Sequence, residues 1–262
     1  MNSKLTRRDA LRGLSIGAAG TSFAATNASA DEAATAPAHP AAAENPQGVC
    51  LLTPQAVEGP YYFDPKLVRS DITDGKDGAP VDLKLRVVDA KACTPLANVR
   101  VDVWHADAGG VYSGYDGQGD GRDVSTKGKT YLRGTQISDA DGNVSFRTVF
   151  PGWYPGRTPH IHVKAFLDAT TLVTGQIYFP EDVSARIYRD RAPYSARPVA
   201  DTTNAHDGIF KQGEREGGGI VMTVSDDGKV IVAALLIGVD RSGDAARKGA
   251  GWGGFFKRLI GG

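Results

Sequence analysis

Between Tyr154 and His162 the chain reads Y-P-G-R-T-P-H-I-H, which sets a phenol, a guanidinium and two imidazoles close together. His160 and His162 are two apart, and side chains two apart on a β-strand share a face. Both rings can therefore reach one cation. Taken alone the signal is modest, because two surface histidines on a half-exposed strand satisfy it at least as well. The surroundings add weight. Tyr154 lies in Gly152-Trp153-Tyr154-Pro155-Gly156, a loop stiffened by proline and brought close by glycine. Far upstream, Gly109-Gly110-Val111-Tyr112 closes a predicted strand with a second tyrosine in a Gly-rich turn. A free phenol, with a pKa of about 10, is a poor ligand, but a bound trivalent cation stabilises the phenolate. Two phenolates and two imidazoles make a hard, anionic set suited to Fe(III), although spacing alone leaves Zn and Cu open.

Such residues must be carried by a rigid frame, and the chain between them is patterned as short strands. Alternation of apolar and polar residues predicts strands at 81–89, 98–106, 131–138, 143–150, 160–167, 172–179, 220–224 and 230–239. Asp139-Ala140-Asp141-Gly142 and Ser225-Asp226-Asp227-Gly228 are expected to be hairpin turns. Helical periodicity is expected only over Glu181–Asp190. The fold class is therefore all-β, an antiparallel β-sandwich with long functional loops and one short helix. The loop from Gly109 to Lys129 is Gly/Asp-rich and long enough to be read as functional.

The ends of the chain read differently. Residues 1–30 contain Thr6-Arg7-Arg8-Asp9-Ala10-Leu11-Arg12, a weakly apolar Ala/Gly run and Ala28-Ser29-Ala30, the pattern of a twin-arginine signal with an A-x-A cleavage site. The run is too short and too polar for a stable membrane span. Export by the twin-arginine machinery to the periplasm or beyond is expected, with removal after Ala30. Residues 31–49 are an Ala/Pro-rich linker unable to bury enough apolar surface to order itself. One domain is expected over 50–240, followed by a Gly-rich tail, 241–262, whose Trp252, Phe255, Phe256, Leu259 and Ile260 are read as a loosely ordered extension. The 262-residue chain has 30 basic and 30 acidic residues, and removal of the signal leaves 26 against 29. No basic excess exists to neutralise phosphates, so no nucleic-acid partner is expected. In an exported protein two cysteines, here Cys50 and Cys93, are expected to pair and tie the incoming chain to the sheet.

Several ordered motifs together, Y-P-G-R-T-P-H-I-H, V-D-V-W-H-A-D-A-G-G-V-Y, E-G-P-Y-Y and G-Q-I-Y-F, resemble the intradiol ring-cleavage dioxygenases, the non-haem Fe(III) catechol and protocatechuate dioxygenases. The resemblance runs from about Thr53 to Asp182. It implies four iron ligands, Tyr112, Tyr154, His160 and His162, with hydroxide as a fifth. Tyr112 would stay on the metal and Tyr154 would leave when substrate binds. It implies catalytic roles for Arg157, which would stabilise anionic character, for Gln176, which would orient the ring by hydrogen bonding, and for Tyr154 as an internal base. It places Glu58-Gly59-Pro60-Tyr61-Tyr62 at the pocket mouth. The implied partners are a small aromatic diol and O2, and the implied product is of the cis,cis-muconate type. His105 is read as a supporting residue rather than a ligand; His39 and His206 receive no role. Many family members dimerise through an N-terminal helical segment. An Ala/Pro stretch stands there instead, which leaves a homo-oligomer open. The rival reading is a non-catalytic exported sandwich module that binds a metal or a partner.

Overall fold

In the computed structural model the described residues are 50–249, so the expected signal, the expected linker and the last thirteen residues of the expected tail lie outside them. Residues that alternate in character form nine strands. In chain order they are β1 (Pro80–Asp89), β2 (Thr94–Pro95), β3 (Arg100–Trp104), β4 (Arg133–Ile137), β5 (Asn143–Val149), β6 (His160–Leu167), β7 (Thr170–Tyr178), β8 (Thr223–Asp226) and β9 (Ile231–Val239). Between β7 and β8 lie α1 (Glu181–Asp190) and α2 (Gly208–Arg215).

The strands form two sheets. One runs β2-β1-β9-β8, with β5 also paired to β1; the other runs β4-β3-β6-β7. Every second side chain points between them. Val81, Leu83, Leu85 and Val87 of β1 meet Val101 and Val103 of β3 and Ile161 and Val163 of β6 in one continuous core. Burial of apolar area at about 25 cal/mol per Å² is the main force holding the sheets together. α1 adds Val183 and Ile187 to that core. The sandwich architecture agrees with the sequence pattern, and α1 has the expected limits.

Four features depart from expectation. β1 and β9 pair in parallel, Val81 opposite Ile231 through Asp89 opposite Val239, in a fold otherwise built from antiparallel pairs. The turn at Asp139–Gly142 forms, with Gly142 N donating to Asp139 O, but it is not a hairpin. β4 belongs to one sheet and β5 pairs with β1 in the other, so the turn carries the chain across the sandwich edge. α2 is helical despite Gly208 and Gly213, because Asp207 caps it by accepting from Ile209 N and Phe210 N. Residues 244–249 are helical, with Ala246 buried. The second expected hairpin, β8–β9, does form. Among the described residues no helix is long and apolar enough to cross a membrane.

Cys50 and Cys93 are bonded, with their Cα atoms 5.3 Å apart. The bond closes a loop across a sequence separation of 43, and loop-entropy arguments give a stabilisation of about 2–4 kcal/mol for such a loop. Cys50→Ser with Cys93→Ser is accordingly expected to lower the unfolding free energy by about that amount. Denaturant melts check this, and an unchanged midpoint would contradict it.

Candidate metal centre

The site is built on the outer face of the four-stranded sheet, away from the core. Register aligns Arg133 of β4 with Trp104 of β3, Trp104 with His162 of β6, and His162 with Gln176 of β7. These four side chains thus form one row across the sheet, and period-two alternation puts His160 on the same face one step away. Trp104, Ala106 and Tyr112, with Tyr61, Tyr62 and Tyr154 against them, make a second, aromatic cluster there.

Two loops bring the phenols to this row. Asp107 organises the first: its Oδ1 accepts from Gly109 N and Val111 N, which turns the chain so that Tyr112 points back over the sheet. The second loop carries Tyr154. The loops interlock through two glycines. A Cβ at Gly110, whose φ is +82°, would collide with Trp153 O, and one at Gly152 would collide with the carbonyls of Asp107 and Ala108. The separation of the two phenols is therefore set by backbone contact.

Four polar atoms converge. Tyr112 Oη lies 3.1 Å from His162 Nε2, 3.3 Å from His160 Nε2 and 3.4 Å from Tyr154 Oη, and Tyr154 Oη lies 3.2 Å from His160 Nε2. Donors bound to a single ion at about 2.0–2.1 Å sit at such mutual separations. The environment also matches. His160 Nδ1 is 2.7 Å from Thr158 O, which fixes that nitrogen as the N–H and leaves Nε2 with its lone pair toward the cluster. Trp104 stacks on His162 at 4.7 Å and 13°. Burial, with like-charged neighbours second, holds both imidazoles well below their ordinary pKa, so they are neutral and able to ligate. Burial pushes both phenols up, Tyr112 well above the ordinary value. No group of three or more His, Cys, Asp or Glu among the described residues could hold an ion, so the donors present are these phenols and imidazoles, a set that fits Fe(III).

The two phenols differ in freedom. Tyr112 is 1% exposed and lies beneath Tyr61, whose ring stacks on it at 4.7 Å. Tyr154 is half-buried and followed by exposed Pro155 and Gly156. Arg157 donates Nη1 to Tyr154 Oη at 3.3 Å and Nη2 to Gln176 Oε1. Gln176 Nε2 donates to Val57 O at 3.2 Å. That bond attaches a strap, residues 53–63, which crosses the site: Glu58 pairs with Lys164, and Tyr62 Oη donates to Asp102 Oδ2 at 2.9 Å. A cavity of about 830 Å³ lies beside the strap, lined by Gln55, Glu58, Lys164 and Thr174 but by none of the four donors.

The structure brings Tyr112, Tyr154, Arg157, His160, His162 and Gln176 together on this face. His105 supports the fold instead, its ring nitrogens 2.8 Å from Ala106 O and 2.7 Å from Thr148 Oγ1. Burial lowers its pKa to about 4, which keeps it neutral. Two residues escaped the sequence reading. Arg133, 1% exposed, lies over Phe63 at 4.4 Å with Nε on Ser113 Oγ. Burial lowers its pKa to about 10. Asp207, fully buried, accepts from Arg157 Nε at 2.8 Å. Arginine inside a strand and aspartate before an amphipathic stretch are the only signals either residue offers.

Because both phenols are protonated at neutral pH without a cation, and both imidazoles are already neutral, ion uptake must expel two phenolic protons. Loading with Ga(III), a redox-inert trivalent ion, is expected to raise tyrosinate absorbance by two residues' worth, and by one in Tyr154→Phe. Affinity referred to the free aqua ion is expected to rise about 100-fold per pH unit near neutrality, one factor of about ten for each proton expelled. Loading without a tyrosinate signal would contradict the assignment.

A family model described as "Dioxygenase" matches residues 57–208. The chain is 33% identical over 166 residues to catechol 1,2-dioxygenase 1 of Acinetobacter lwoffii, covering 54% of this chain and 50% of that one. It is 35% identical over 120 residues to the protocatechuate 3,4-dioxygenase beta chain of Burkholderia cepacia, covering 41% and 49%. The chain thus spans about half the length of the curated relatives it matches. Its fold is similar to an intradiol ring-cleavage dioxygenase from Tetranychus urticae, with a TM-score of 0.65 and 31% identity over 73% of this chain and 95% of that one. It is also similar to the dioxygenase domain of a dioxygenase–carbohydrate-binding protein fusion from Streptomyces sp. SirexAA-E, with a TM-score of 0.53 and 29% identity over 72% and 98%.

Proposed function

The chain belongs to the intradiol ring-cleavage dioxygenase family, and from that premise we propose that it opens a catechol-type aromatic diol between the two hydroxyl carbons. The reaction would use O2 and one non-haem Fe(III) held by Tyr112, Tyr154, His160 and His162, and both oxygen atoms would end in a cis,cis-muconate-type diacid. The observation that carries this is the convergence of two phenolic oxygens and two imidazole nitrogens at 3.1–3.4 Å.

Iron(III), when bound, supplies the Lewis acidity that holds the diol as a dianion and opens its reaction with O2. The protein's own groups do the rest. Tyr112, under Tyr61, is the fixed phenolate. Tyr154, at the solvent side of the cluster, would be the phenolate free to depart; its Oη would take one of the diol's two protons and hydroxide the other. Arg157 Nη1, which faces Tyr154 Oη in the closed site, is released toward the substrate's developing negative charge once that oxygen moves. Gln176, fixed by Val57 O and Arg157, orients the ring. Tyr61, Tyr62 and Trp104 keep water from it. Both terminal nitrogens of Arg157 pointing into the site favour an enzyme over a passive metal clip.

The direct test is oxygen uptake by iron-loaded protein given catechol, protocatechuate or hydroxyquinol. One O2 consumed per ring opened, with a muconate-type product, is the expected result. No uptake with any of them would contradict the proposal. Tyr154→Phe is expected to retain iron but to slow diol binding and turnover by about 10²- to 10⁴-fold, the worth of a positioned proton acceptor; wild-type kinetics would refute its role. We further propose export by the twin-arginine route. The Cys50–Cys93 bond supports it, since such bonds persist in oxidising compartments. Plant-derived catechols outside the cytoplasm are the substrate class that this location favours.

A further inference from the structure

Arg157 approaches the donors from a loop whose neighbours Pro155 and Gly156 are exposed, so its aim has to be set from elsewhere. The segment 201–207, D-T-T-N-A-H-D, sets it. Asp201 accepts from Gly156 N at 3.2 Å, Asn204 Oδ1 accepts from Thr158 Oγ1 at 2.8 Å, and Asp207 Oδ2 accepts from Arg157 Nε at 2.8 Å and from Thr158 N at 3.1 Å. Three side chains at intervals of three residues thus bracket three consecutive residues of the loop.

We infer that Asp207 is the positioning residue for Arg157: it takes Nε and so turns both terminal nitrogens of the guanidinium toward Tyr154 and Gln176. The geometry is demanding. Asp207 Oδ1 is occupied by the first N–H groups of α2, from Ile209 and Phe210. Only Oδ2 remains for Arg157, and α2 fixes where that oxygen lies. Asparagine would still cap the helix, but its second side-chain atom is an N–H donor. It would face the Arg157 Nε–H donor to donor and could not hold it. The bracket also supports His160, because Thr158, gripped by Asn204 and Asp207, offers the carbonyl that His160 Nδ1 contacts.

The inference rests on the proposed ring cleavage, and Asp207→Asn in the full-length iron-loaded protein tests it. The variant is expected to melt lower, because Arg157 loses its ion-pair partner, but to stay folded under assay conditions with the wild-type iron content and colour. Its kcat for catechol is expected to fall by about 10- to 100-fold, with KM changed by less than about threefold. In an Arg157→Gln background the same substitution is expected to change kcat by no more than about twofold, because the catalytic effect of Asp207 runs through Arg157 while Asn204 still holds Thr158 beneath His160. A kcat within about twofold of wild type, or effects that multiply in the double variant, would overturn the inference. Should Asp207→Asn fold poorly, Asp207→Ser, which also caps, is read in the same way; loss of fold or of iron in both makes Asp207 structural and overturns it. If the wild type itself turns over no diol, the functional proposal fails, and the positioning inference is decided by hydrogen exchange at Arg157 Nε–H in Ga(III)-loaded protein. That proton is expected to exchange slowly in the wild type and fast in Asp207→Asn; equal rates would overturn the inference.

Discussion

His162→Ala is expected to strip the protein of iron and to lower ring cleavage by at least about a thousandfold, since a bound Lewis acid is worth several kcal/mol of transition-state stabilisation. His162 sits mid-row between Trp104 and Gln176, 3% exposed, with Nε2 3.1 Å from Tyr112 Oη. Its removal leaves three donors, of which Tyr154 is the one proposed to leave when the diol binds. The metal-free fold should lose some stability, because the ring's stack on Trp104 goes and a cavity is left, but no buried group is orphaned, since Tyr112 Oη keeps His160 Nε2 and Tyr154 Oη as partners. The rise in melting midpoint that iron gives the wild type should vanish, leaving the variant with the same midpoint with and without chelator. Iron analysis and melts with and without chelator check both halves. A variant that still binds iron tightly would remove His162 from the ligand set.

Arg157→Gln is expected to do two kinds of damage. Turnover should fall by about 10²- to 10³-fold, the usual worth of one donor aimed at developing charge. Stability should also fall by about 3–5 kcal/mol, because the carboxylate of Asp207, fully buried, loses its only ion-pair partner among the described residues. The two effects separate when Asp207→Asn is added. The double variant should recover most of the stability, having no unpaired buried charge, and none of the turnover. Denaturant melts and steady-state kinetics on the three proteins decide it. Full recovery of activity with stability would mean that Arg157 serves the fold alone.

The residues involved show what a sequence discloses. His160 and His162 were legible because strand periodicity is local: two positions apart means one face, whatever the sheet does. Tyr154 was legible from the same stretch. Tyr112 became a candidate through the resemblance and its Gly-rich turn, and its depth beneath Tyr61 depends on a strap about fifty residues upstream. The strands could be located but not all of their partners. Nothing local distinguishes a turn that joins paired strands from Asp139–Gly142, which crosses between sheets, and the parallel pairing of β1 with β9 joins segments about 150 residues apart. α2 was hidden because Gly208 and Gly213 lower its intrinsic propensity while Asp207 and tertiary packing support it. Asp207 itself reads as an ordinary helix cap; that its second oxygen aims Arg157, fifty positions earlier, is a fact of packing.

The most direct test is the visible absorption of the purified, iron-loaded protein before and after catechol is added without oxygen. Two phenolates on Fe(III) predict a red-brown charge-transfer band, shifted when the diol displaces Tyr154 and weakened in Tyr112→Phe. A folded protein that takes up no iron, or whose iron is colourless and indifferent to catechol, would contradict the account at its centre.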